Sequence, residues 1–456
     1  MEAVWLRRDL RLEDNPALAA AEGSVLPLFI FDPAILAGLP EGDRRVAYIF
    51  ARLSELKKEL QSVGLDIALF YGKPDEVFAY LKTHHGINTV FASGGNSRYG
   101  RERDMAVSKV VNLRKVHDNF LLDPANVLKK DGTPYRVFTP FYNYVRPVLE
   151  GLAGYRHRLN PYLTLAPFDY DGIHCIQGGE AAKKQSASES IGFVMPDTVP
   201  ERKKPTEIFE AFRGKFGGYE TFRDFPAMDH TSHIGLPLRF GIQSIREVFG
   251  SLFALQNEGV DTAYFVRELV WREFYNYLFY HFPESETTNF QNVSVAWAED
   301  EERFAAWCEG RTGVPLVDAG MRELAATGHM HNRVRMVAAS FLTKNLLIDW
   351  KKGEAWFAGH LLDYEASSNV GSWQWAASTG ADAVPYFRLF NPYTQAKKFD
   401  KEAEYIKRWV PELAALAPAK LHDEAWLSAY PVEGYAMPVV STKGASERFK
   451  SRYGKE

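Results

Sequence analysis

The chain has very few cysteines: Cys175 and Cys308 are the only two among 456 residues. Two cysteines far apart in sequence cannot form a disulfide framework or a cysteine-based zinc site, and their scarcity is typical of a reducing cytoplasm. The chain also lacks any apolar run of the roughly 20 residues that a membrane-spanning helix needs. Its first residues, 1–11, carry charges where a signal peptide has an apolar run. We therefore expect a cytoplasmic protein with no membrane partner.

The chain lacks an overall positive charge as well. Its 54 basic and 58 acidic residues give a formal net charge of −4, so a nucleic-acid partner would have to bind a local basic patch. Glycines such as Gly94 and Gly95 do not form the spaced pattern of a dinucleotide-binding turn, which argues against a standard NAD site. No obligate protein partner is indicated, and we expect a monomer.

What the chain does contain is a large apolar fraction and many aromatic residues. Hydrophobic residues make up 46% and charged residues 25%, the composition of a globular protein with a large core. A length of 456 residues exceeds one ordinary domain, so two domains are expected. Aromatic residues make up 14%, including ten Trp and 22 Tyr, which is enough to make stacking chemistry a reasonable expectation.

Residues 1–125 alternate short apolar runs with helical patterns. The runs that predict strands are 4–6, 25–31, 67–70, 89–92 and 119–122. The patterns that predict helices are 46–60 and 74–81. Strands and helices in alternation predict an α/β domain with a doubly wound parallel sheet.

The pattern changes after this first domain. Residues 126–205 are predicted to be an interdomain linker, because Pro, Gly, Ser and Lys dominate from about residue 160 onward. Residues 206–456 show almost no strand signal and are predicted to form an all-α domain. Its helices are predicted at 262–282, 315–327, 332–350 and 354–362.

The segment 363–399 combines redox-capable aromatic residues with polar groups, which indicates chemistry that involves light and electrons. Its most informative parts are Asp363-Tyr364-Glu365, Asn369, Trp373-Gln374-Trp375 and Pro385-Tyr386-Phe387-Arg388. A single Trp is more often simply buried bulk. The functional interpretation of this segment therefore rests on the whole combination of residues and not on any single Trp.

The predicted helix 262–282 carries a second combination. Glu268, Trp271, Arg272 and Tyr275 are spaced at i, i+3, i+4 and i+7, which places a carboxylate, an indole and a guanidinium on one face. A surface ion pair between Glu268 and Arg272 beside a half-buried Trp explains the same spacing.

The next predicted helix begins near His331. Asn332 and Met336 are one turn apart, with Arg333 between them, a pattern that suits a ligand surface although Met is more often core filler. His329 and His331 have no carboxylate at helical spacing to complete a ligand set, so no metal is assigned.

Two windows have a locally positive charge that the whole-chain balance conceals. The window 331–352 has a balance of about +4 and the window 386–408 about +3. Basic groups interleaved with Trp375, Tyr386 and Phe387 are what a surface that grips a nucleic-acid backbone and stacks on bases needs. Solvated helix faces produce similar counts.

Taken together, these motifs resemble the photolyase and cryptochrome family over nearly the whole chain. The amino-terminal signature is Trp5-Leu6-Arg7-Arg8-Asp9-Leu10-Arg11, followed by Asp14-Asn15-Pro16-Ala17-Leu18, and the carboxy-terminal signature runs from Trp373 to Leu413. The window 331–336 resembles the class I cyclobutane pyrimidine dimer photolyases. The resemblance implies a flavoprotein lyase that repairs UV-damaged DNA with light.

The resemblance implies FAD, folded into a U shape inside the helical domain, as the cofactor. The residues that match the family's FAD-binding positions are Tyr219, Thr231, Ser232, His233, Ile234, Gly235, Phe265, Arg335, Asp363, Tyr364, Glu365 and Asn369. Asn369 matches the residue that faces the flavin N5, and Arg335 matches the partner of Asp363. Two positions depart from the family pattern: Gly235 stands where a hydroxyl is usual, and Glu365 replaces a shorter Asp.

The resemblance also implies the groups that handle the lesion and the electrons. Those expected to bind the lesion or DNA are Arg223, Glu268, Trp271, Arg272, Asn332, Arg333, Met336, Trp375, Arg388 and Gln395. Trp271 and Trp375 would pack against the two pyrimidines, and Glu268 would stabilise the reduced lesion. Trp373, Trp350 and Trp297 match the three-Trp chain that reduces oxidised flavin under light.

The alternative is a cryptochrome-type photoreceptor with a signalling or DNA-binding role, because cryptochromes share this fold and flavin. The 331–336 window favours repair, as does the presence of only about 40 residues after Leu413, which leaves little room for a long signalling tail. His329 stands where the class I branch usually has Trp. Family members also hold a second, antenna chromophore (folate, deazaflavin or flavin); Tyr99-Gly100-Arg101 lacks the acidic residue of the folate type, and its identity stays open.

Overall fold

The computed structural model describes residues 1–152, 155–185, 191–193, 205–386 and 388–455. The chain forms two compact units. The first comprises 1–133, 143–211 and 233–262, and the second comprises 134–142, 212–232 and 263–456. The boundaries 1–125, 126–205 and 206–456 stay a prediction. Phe387 and the linker residues 186–190 and 194–204 lie outside the described residues.

The first unit is built on a sheet of eight strands. They are β1 (Glu2–Leu6), β2 (Ser24–Phe31), β3 (Ala68–Tyr71), β4 (Thr89–Ser93), β5 (Asn112–Val116), β6 (Thr164–Leu165), β7 (Ile173–Gln177) and β8 (Glu180–Gln185). The order is β5-β4-β1-β2-β3-β7-β8, with β6 paired to β2. All pairings are parallel except that of β7 with β8.

The central strands are mostly apolar because both faces of the sheet are covered. In β1, Val4 and Leu6 join the core on one face, whereas Ala3 and Trp5 join the core on the other. Side chains that alternate between two buried faces leave no polar position in a strand, as in other doubly wound sheets. The predicted α/β fold with a parallel sheet is confirmed.

Of the ten α-helices that begin before residue 260 in the described residues, five have 11 to 18 residues and five have 4 to 8. They are α1 (Pro16–Ala20), α2 (Pro33–Leu36), α3 (Arg44–Gln61), α4 (Pro74–His85), α5 (Arg98–Ser108), α6 (Phe138–Gly151), α7 (Pro205–Phe212), α8 (Tyr219–Phe222), α9 (Gly235–Arg239) and α10 (Ile245–Asn257). The core on one face of the sheet includes Leu53 and Leu56 of α3, and the core on the other includes Val77 and Phe78 of α4.

Two sequence expectations for this unit differ from the structure. The strand predicted at 119–122 is wrong: the fifth strand is β5, an edge strand whose Arg114 and Lys115 are exposed and therefore hid the apolar signal. Part of the predicted linker also extends the sheet as β6, β7 and β8. Gly178 and Gly179, both with positive φ, form the turn between β7 and β8.

The second unit is mainly helical, as predicted. Its helices from residue 263 onward are α11 (Ala263–His281), α12 (Glu301–Cys308), α13 (Pro315–Thr327), α14 (Asn332–Ser340), α15 (Trp350–His360), α16 (Ala366–Ala377), α17 (Pro392–Phe399), α18 (Glu404–Trp409), α19 (Pro418–Leu421), α20 (Glu424–Ala429) and α21 (Ala445–Lys450). The structure adds an antiparallel ribbon of β9 (Val293–Val295) and β10 (Tyr453–Lys455).

The helix predicted at 332–350 is interrupted. α14 continues as a π-helical turn over Phe341–Asn345, and Leu347 then adopts a left-handed conformation with φ of 63°. Asp349 starts the next helix by accepting a hydrogen bond from the Lys351 backbone, so Trp350 begins α15 instead of ending α14. Among the described residues, no helix is long and apolar enough to cross a membrane.

Candidate functional site

One face of α11 carries an ion pair that the sequence did not predict. Glu268 pairs with Arg223, with 2.8 Å between Oε1 and Nη1, and the two side chains are 30% and 20% exposed. The Arg223 guanidinium also lies 4.8 Å from the centre of the Tyr264 ring. Residues 45 positions apart leave no periodic signal, so only the tertiary structure reveals this pairing.

Trp271, on the same helix, is half-buried and lies flat against Phe138. The ring centres are 3.6 Å apart and the planes differ by 4°. Tyr275, one turn further along α11, fits against the backbone of α16 because Gly371 has no side chain: a Cβ there would lie 2.3 Å from the Tyr275 ring. Phe138 was not predicted as a site residue, because nothing in its local sequence links it to Trp271.

α14 presents the predicted trio Asn332, Arg333 and Met336. The Asn332 amide lies 3.9 Å from the Met336 sulfur. Arg333 donates to Asp224 at 2.5 Å, and its guanidinium lies 4.4 Å from the centre of the Phe399 ring. The guanidinium is therefore held in place by a carboxylate on one side and an aromatic face on the other.

Arg335 and Asp363 form the pair that the resemblance implies. Arg335 Nη2 donates to both carboxylate oxygens, at 3.1 and 2.9 Å, and Nε donates to the Met330 carbonyl at 2.7 Å. Burial by itself raises the pKa of Asp363, but the charge and hydrogen bonds of Arg335 outweigh it and hold the pKa below its ordinary value. Asp363 is therefore a fixed negative charge at neutral pH.

Asn369 is held by a residue that sequence reasoning missed. Its amide nitrogen donates to Glu354 Oε1 at 2.9 Å and to the Glu354 backbone carbonyl at 3.2 Å. The Tyr364 hydroxyl donates to the same Glu354 oxygen at 3.3 Å. Burial raises the pKa of Glu354 more than these hydrogen bonds lower it. The pKa of Glu354 therefore lies above its ordinary value, whereas that of Asp363 lies below.

Trp373 and Trp350, two members of the proposed electron chain, are 2% and 1% exposed. Gly353 of α15 lies directly against the Trp373 indole, since a Cβ there would be 2.2 Å from the ring. Trp350 Nε1 donates to Asn289 at 3.0 Å. Trp297, the third member, is partly buried in the same core and lies 6.4 Å from the Phe449 ring.

The structure also surrounds Trp373 with aromatic residues that the resemblance did not single out. The ring centres of Phe357 and Trp307 lie 5.0 and 5.9 Å from it, both edge-on. Trp307 is fully buried and donates from Nε1 to the Ala338 carbonyl at 3.2 Å.

The other indole of the Trp-Gln-Trp run faces a different environment. Trp375 is half-buried and stacks on Phe390 with 5.8 Å between ring centres. Gln374 lies between these two Trp residues in the sequence, and its side chain is buried. Its amide accepts from the Phe290 backbone and donates to the Ser285 carbonyl. The buried amide therefore fixes the end of α16, from which Trp373 and Trp375 project to different surroundings.

Tyr219 and Phe265, two of the predicted FAD-binding residues, lie close together. Their ring centres are 5.2 Å apart, within an aromatic cluster that includes Phe212 and Phe216. Burial raises the pKa of Tyr219 to about 12. Thr231 and Ser232 belong to the same unit and are half-buried, whereas His233, Ile234 and Gly235 belong to the first unit, where Gly235 begins α9.

The remaining predicted residues lie at the surface or near it. The Arg388 side chain is exposed, Arg272 is half-buried, and Gln395 on α17 has a buried Oε1 with no hydrogen-bond partner among the described residues. Glu365 is the residue that precedes α16, but its side chain does not cap the helix. His329 Nδ1 lies 3.5 Å from Glu323 Oε1.

One basic residue counted in the window 331–352 is not at the surface. Lys344 is fully buried, and its ammonium group donates to Ser378 and to the Arg388 carbonyl. It therefore cannot contribute to a solvated basic patch, and the local positive charge of that window is smaller at the surface than the sequence predicts.

Comparison with known proteins places both units in one family. Residues 2–158 match the model described as DNA photolyase, and residues 265–455 match the model described as FAD binding domain of DNA photolyase. The FAD-binding domain expected in the helical part of the chain is thereby confirmed.

Individual relatives agree over nearly the full length. Deoxyribodipyrimidine photo-lyases of Escherichia coli and Agrobacterium fabrum are each 36% identical, over 99% of this chain and 98% and 97% of their own lengths. A bacterial class III photolyase from Agrobacterium tumefaciens superposes with a TM-score of 0.81 at 33% identity, covering 99% of this chain and 96% of its own. An archaeal photolyase from Sulfolobus tokodaii, described with two FAD molecules, gives 0.79 at 30% identity, with 99% of each chain covered. The chain belongs to the photolyase and cryptochrome family.

Proposed function

We propose that the protein binds FAD in its helical unit and splits cyclobutane pyrimidine dimers in DNA by light-driven electron transfer. The observation that carries the proposal is one set of contacts in this unit. Asn369 with Glu354 and Arg335 with Asp363 provide a polar edge for a flavin, while Glu268 lies on α11 beside an indole suited to stack on a base.

The residues of the helical unit fit a flavin. Asn369 uses its amide nitrogen to hold Glu354, which leaves the amide oxygen to accept from a ring N–H. Arg335 and Asp363 offer a donor and an acceptor side by side, and Thr231 and Ser232 supply hydroxyls suited to phosphate oxygens. Reduced FAD, when bound and photoexcited, supplies one electron to the lesion and takes it back after the ring has opened.

Glu354 would orient Asn369. Its side chain accepts from the Asn369 amide nitrogen, and burial raises the pKa of this carboxyl above its ordinary value. An acceptor in this position fixes the amide so that its oxygen points away from Glu354. The contact would therefore orient Asn369 towards the ring that it binds.

The lesion would lie between two indoles. Trp271 is backed by Phe138 and Trp375 by Phe390, so each ring is held rigidly while part of it stays accessible. Photolyases flip the dimer out of the duplex, and the two accessible indoles provide apolar surfaces on which the exposed pyrimidines stack. Asn332 and Met336 would complete the wall of the pocket from α14.

Charged groups beside the pocket are paired before DNA arrives. Glu268 would hydrogen-bond to the dimer and stabilise the negative charge that the lesion gains with the electron. Arg223, its present partner, would then turn to a backbone phosphate, as would Arg272, Arg333 and Arg388. The reaction is redox-neutral: two carbon–carbon bonds of the cyclobutane ring break, and the electron returns.

The cellular location and the oligomeric state of the protein are proposals too. The scarcity of cysteine supports a cytoplasmic location, and we propose that the protein acts as a monomer on damaged DNA. Light scattering of the holoprotein with and without DNA tests the second point. The absorption spectrum of natively purified protein identifies an antenna chromophore, if one is bound.

Illumination of the reduced holoprotein with dimer-containing DNA tests the proposed function. We expect pyrimidine monomers to appear in the light in both double and single strands, with no repair in a matched dark sample. If dimers persist in both forms while the flavin still undergoes its light reactions, the repair function is wrong and the cryptochrome alternative takes its place.

A further inference from the structure

The segment between α16 and α17 is attached to the helical core by a buried lysine. This segment runs from Ser378 to Asn391 and carries Arg388, a proposed DNA contact. Lys344 lies in the π-helical turn after α14, and its Nζ donates to Ser378 Oγ at 2.7 Å and to the Arg388 carbonyl at 2.8 Å. One ammonium group therefore holds the start of the segment and its DNA-contacting residue together.

A second attachment lies one helical turn earlier. Ser340 Oγ accepts from the Phe390 backbone N–H at 3.2 Å. Because Ser340 and Lys344 are four residues apart, they face the segment from the same side of the helix. Phe390 in turn stacks on Trp375, so the same helix side sets the position of a proposed lesion contact and of Arg388.

The environment of Lys344 is unfavourable for a charge. Its side chain is fully buried, and within the described residues no carboxylate lies at ion-pair distance; its neighbours are neutral oxygens and the Phe449 ring, 5.4 Å away. Burying an ammonium group without an anion is costly, so burial lowers the pKa of Lys344 to about 7. An apolar side chain would fill the same space at less cost but would leave both oxygens without a donor.

We infer that Lys344 is a positioning residue for lesion binding, whose ammonium group holds Ser378 and Arg388 in the conformation that contacts DNA. The inference rests on the proposed function. It places no demand on the flavin, because neither residue to which Lys344 donates is proposed to bind it.

The inference includes a link between DNA binding and protonation. Phosphates that bind near Arg388 bring negative charge towards Lys344 and favour its protonated form. The turn that carries Lys344 packs against α14, α15, α16 and α21. The titratable and charged groups on these elements and nearby are Arg388, Asp382 and Tyr386 on the segment, Arg333 and Arg335 on α14, Lys351, Lys352, Glu354 and His360 on α15, Tyr453 on β10, and Glu447, Arg448 and Lys450 on α21. Three of these groups bond elsewhere: Tyr453 donates to the Ser378 carbonyl, Asp382 accepts from the Phe138 backbone, and Lys450 donates to Glu447.

The test compares dimer-DNA binding by the FAD-loaded protein and its Lys344→Met variant across pH 6.5 to 8.5. Lys420→Met is the matched control, since that lysine is exposed and its ammonium group lies over the Trp426 ring. We expect Lys344→Met to weaken binding about tenfold at pH 6.5. We expect part of the pH dependence of the unaltered protein to disappear, while FAD content and the repair yield per bound dimer stay the same.

Two further measurements keep the inference testable if Lys344→Met does not fold. Ser378→Ala removes one acceptor and should weaken binding severalfold with FAD retained. Calorimetry of the unaltered protein in two buffers of different ionisation enthalpy should show proton uptake on DNA binding at pH 7 to 8. Equal affinity and equal pH dependence of Lys344→Met and the unaltered protein would overturn the inference. Absence of any preference for dimer DNA in the unaltered protein would overturn the proposed function instead.

Discussion

The two polar regions of the helical unit are paired in different ways. At the proposed flavin edge, Arg335 and Asp363 form a pair that can bind the cofactor as one unit, and Glu354 accepts from the Asn369 amide. At the proposed lesion pocket, Arg223 and Glu268 are paired with each other although each is expected to bind a different part of the substrate. The flavin edge is therefore complete before the cofactor binds, whereas the lesion pocket must rearrange its ion pair when DNA arrives.

The Trp residues of the proposed electron chain and those of the proposed lesion pocket differ in burial. Trp373 and Trp350 are almost fully buried and cannot contact DNA, whereas Trp271 and Trp375 are half-buried and backed by Phe rings. Substitutions on the flavin side should therefore change cofactor binding or flavin reduction. Substitutions on the lesion side should change DNA binding or repair with the cofactor in place.

The largest expected effect follows from Trp373→Phe. This substitution keeps an apolar ring in the core but removes one indole of the proposed electron chain. Light-driven reduction of the oxidised flavin, followed by absorbance with an external reductant, should be almost completely lost while FAD stays bound. Trp307→Phe is the matched control, because Trp307 is equally buried and contacts Trp373. Equal loss in both variants would contradict the assignment of the chain to Trp373.

Asp363→Asn should weaken FAD binding by about tenfold to a hundredfold. The change removes the negative charge that Arg335 binds with two hydrogen bonds and leaves a guanidinium without its carboxylate. The FAD-to-protein ratio after dialysis measures the effect. Asp224→Asn removes the carboxylate partner of Arg333 on the lesion side and should leave that ratio unchanged. Loss of FAD from both variants would break the distinction between the two regions.

Glu268→Ala should lower the repair yield per bound dimer by about tenfold while FAD stays bound. The expected cause is loss of a hydrogen bond to the reduced lesion. Product analysis per absorbed photon, at saturating DNA, separates this effect from weaker binding. Glu268→Gln keeps a hydrogen-bonding group, so its repair yield should lie between that of Glu268→Ala and that of the unaltered protein. Loss of the flavin from Glu268→Ala would show that its role is structural.

The smallest expected effect concerns Glu354. Because burial raises its pKa in the folded protein, the folded state binds its proton more tightly than the unfolded state does. Stability that is present at low pH is therefore lost as the pH rises through the raised pKa. The amide of Glu354→Gln does not titrate. Between pH 5 and 8 the Tm of this variant should therefore fall less than that of the unaltered protein, and the difference between the two falls should be about 2–4 °C at most. Identical Tm profiles would contradict the raised pKa.

The fold was largely predictable from local patterns. α13 spans the predicted residues, because Pro315 marks its first turn and Gly328, with positive φ, ends it. The break after Asn345 was not predictable, because the left-handed conformation of Leu347 has no signal in its residue type. β5 was missed because it is an exposed edge strand, and its polar sequence lacks the apolar run by which the other strands were predicted.

The site was predictable only in part. The family resemblance supplied the residues themselves, but it did not supply their partners. Glu354 and Asn369 lie 15 residues apart on two helices, and Phe138 and Trp271 come from distant parts of the chain. Lys344 shows why a count of charged residues in the sequence can overestimate the charge of a surface. It contributes to the positive balance of residues 331–352 but is fully buried. Burial and tertiary pairing decide these roles, and neither is encoded in local spacing.

The most direct test of the whole account is a single short flash given to the reduced holoprotein in complex with DNA that contains one thymine dimer. Product analysis and flavin absorbance are measured on the same sample. The account predicts that thymines are restored after the flash and that the flavin returns to its reduced state, because the electron comes back. Intact dimers together with an equivalent amount of oxidised flavin would contradict it.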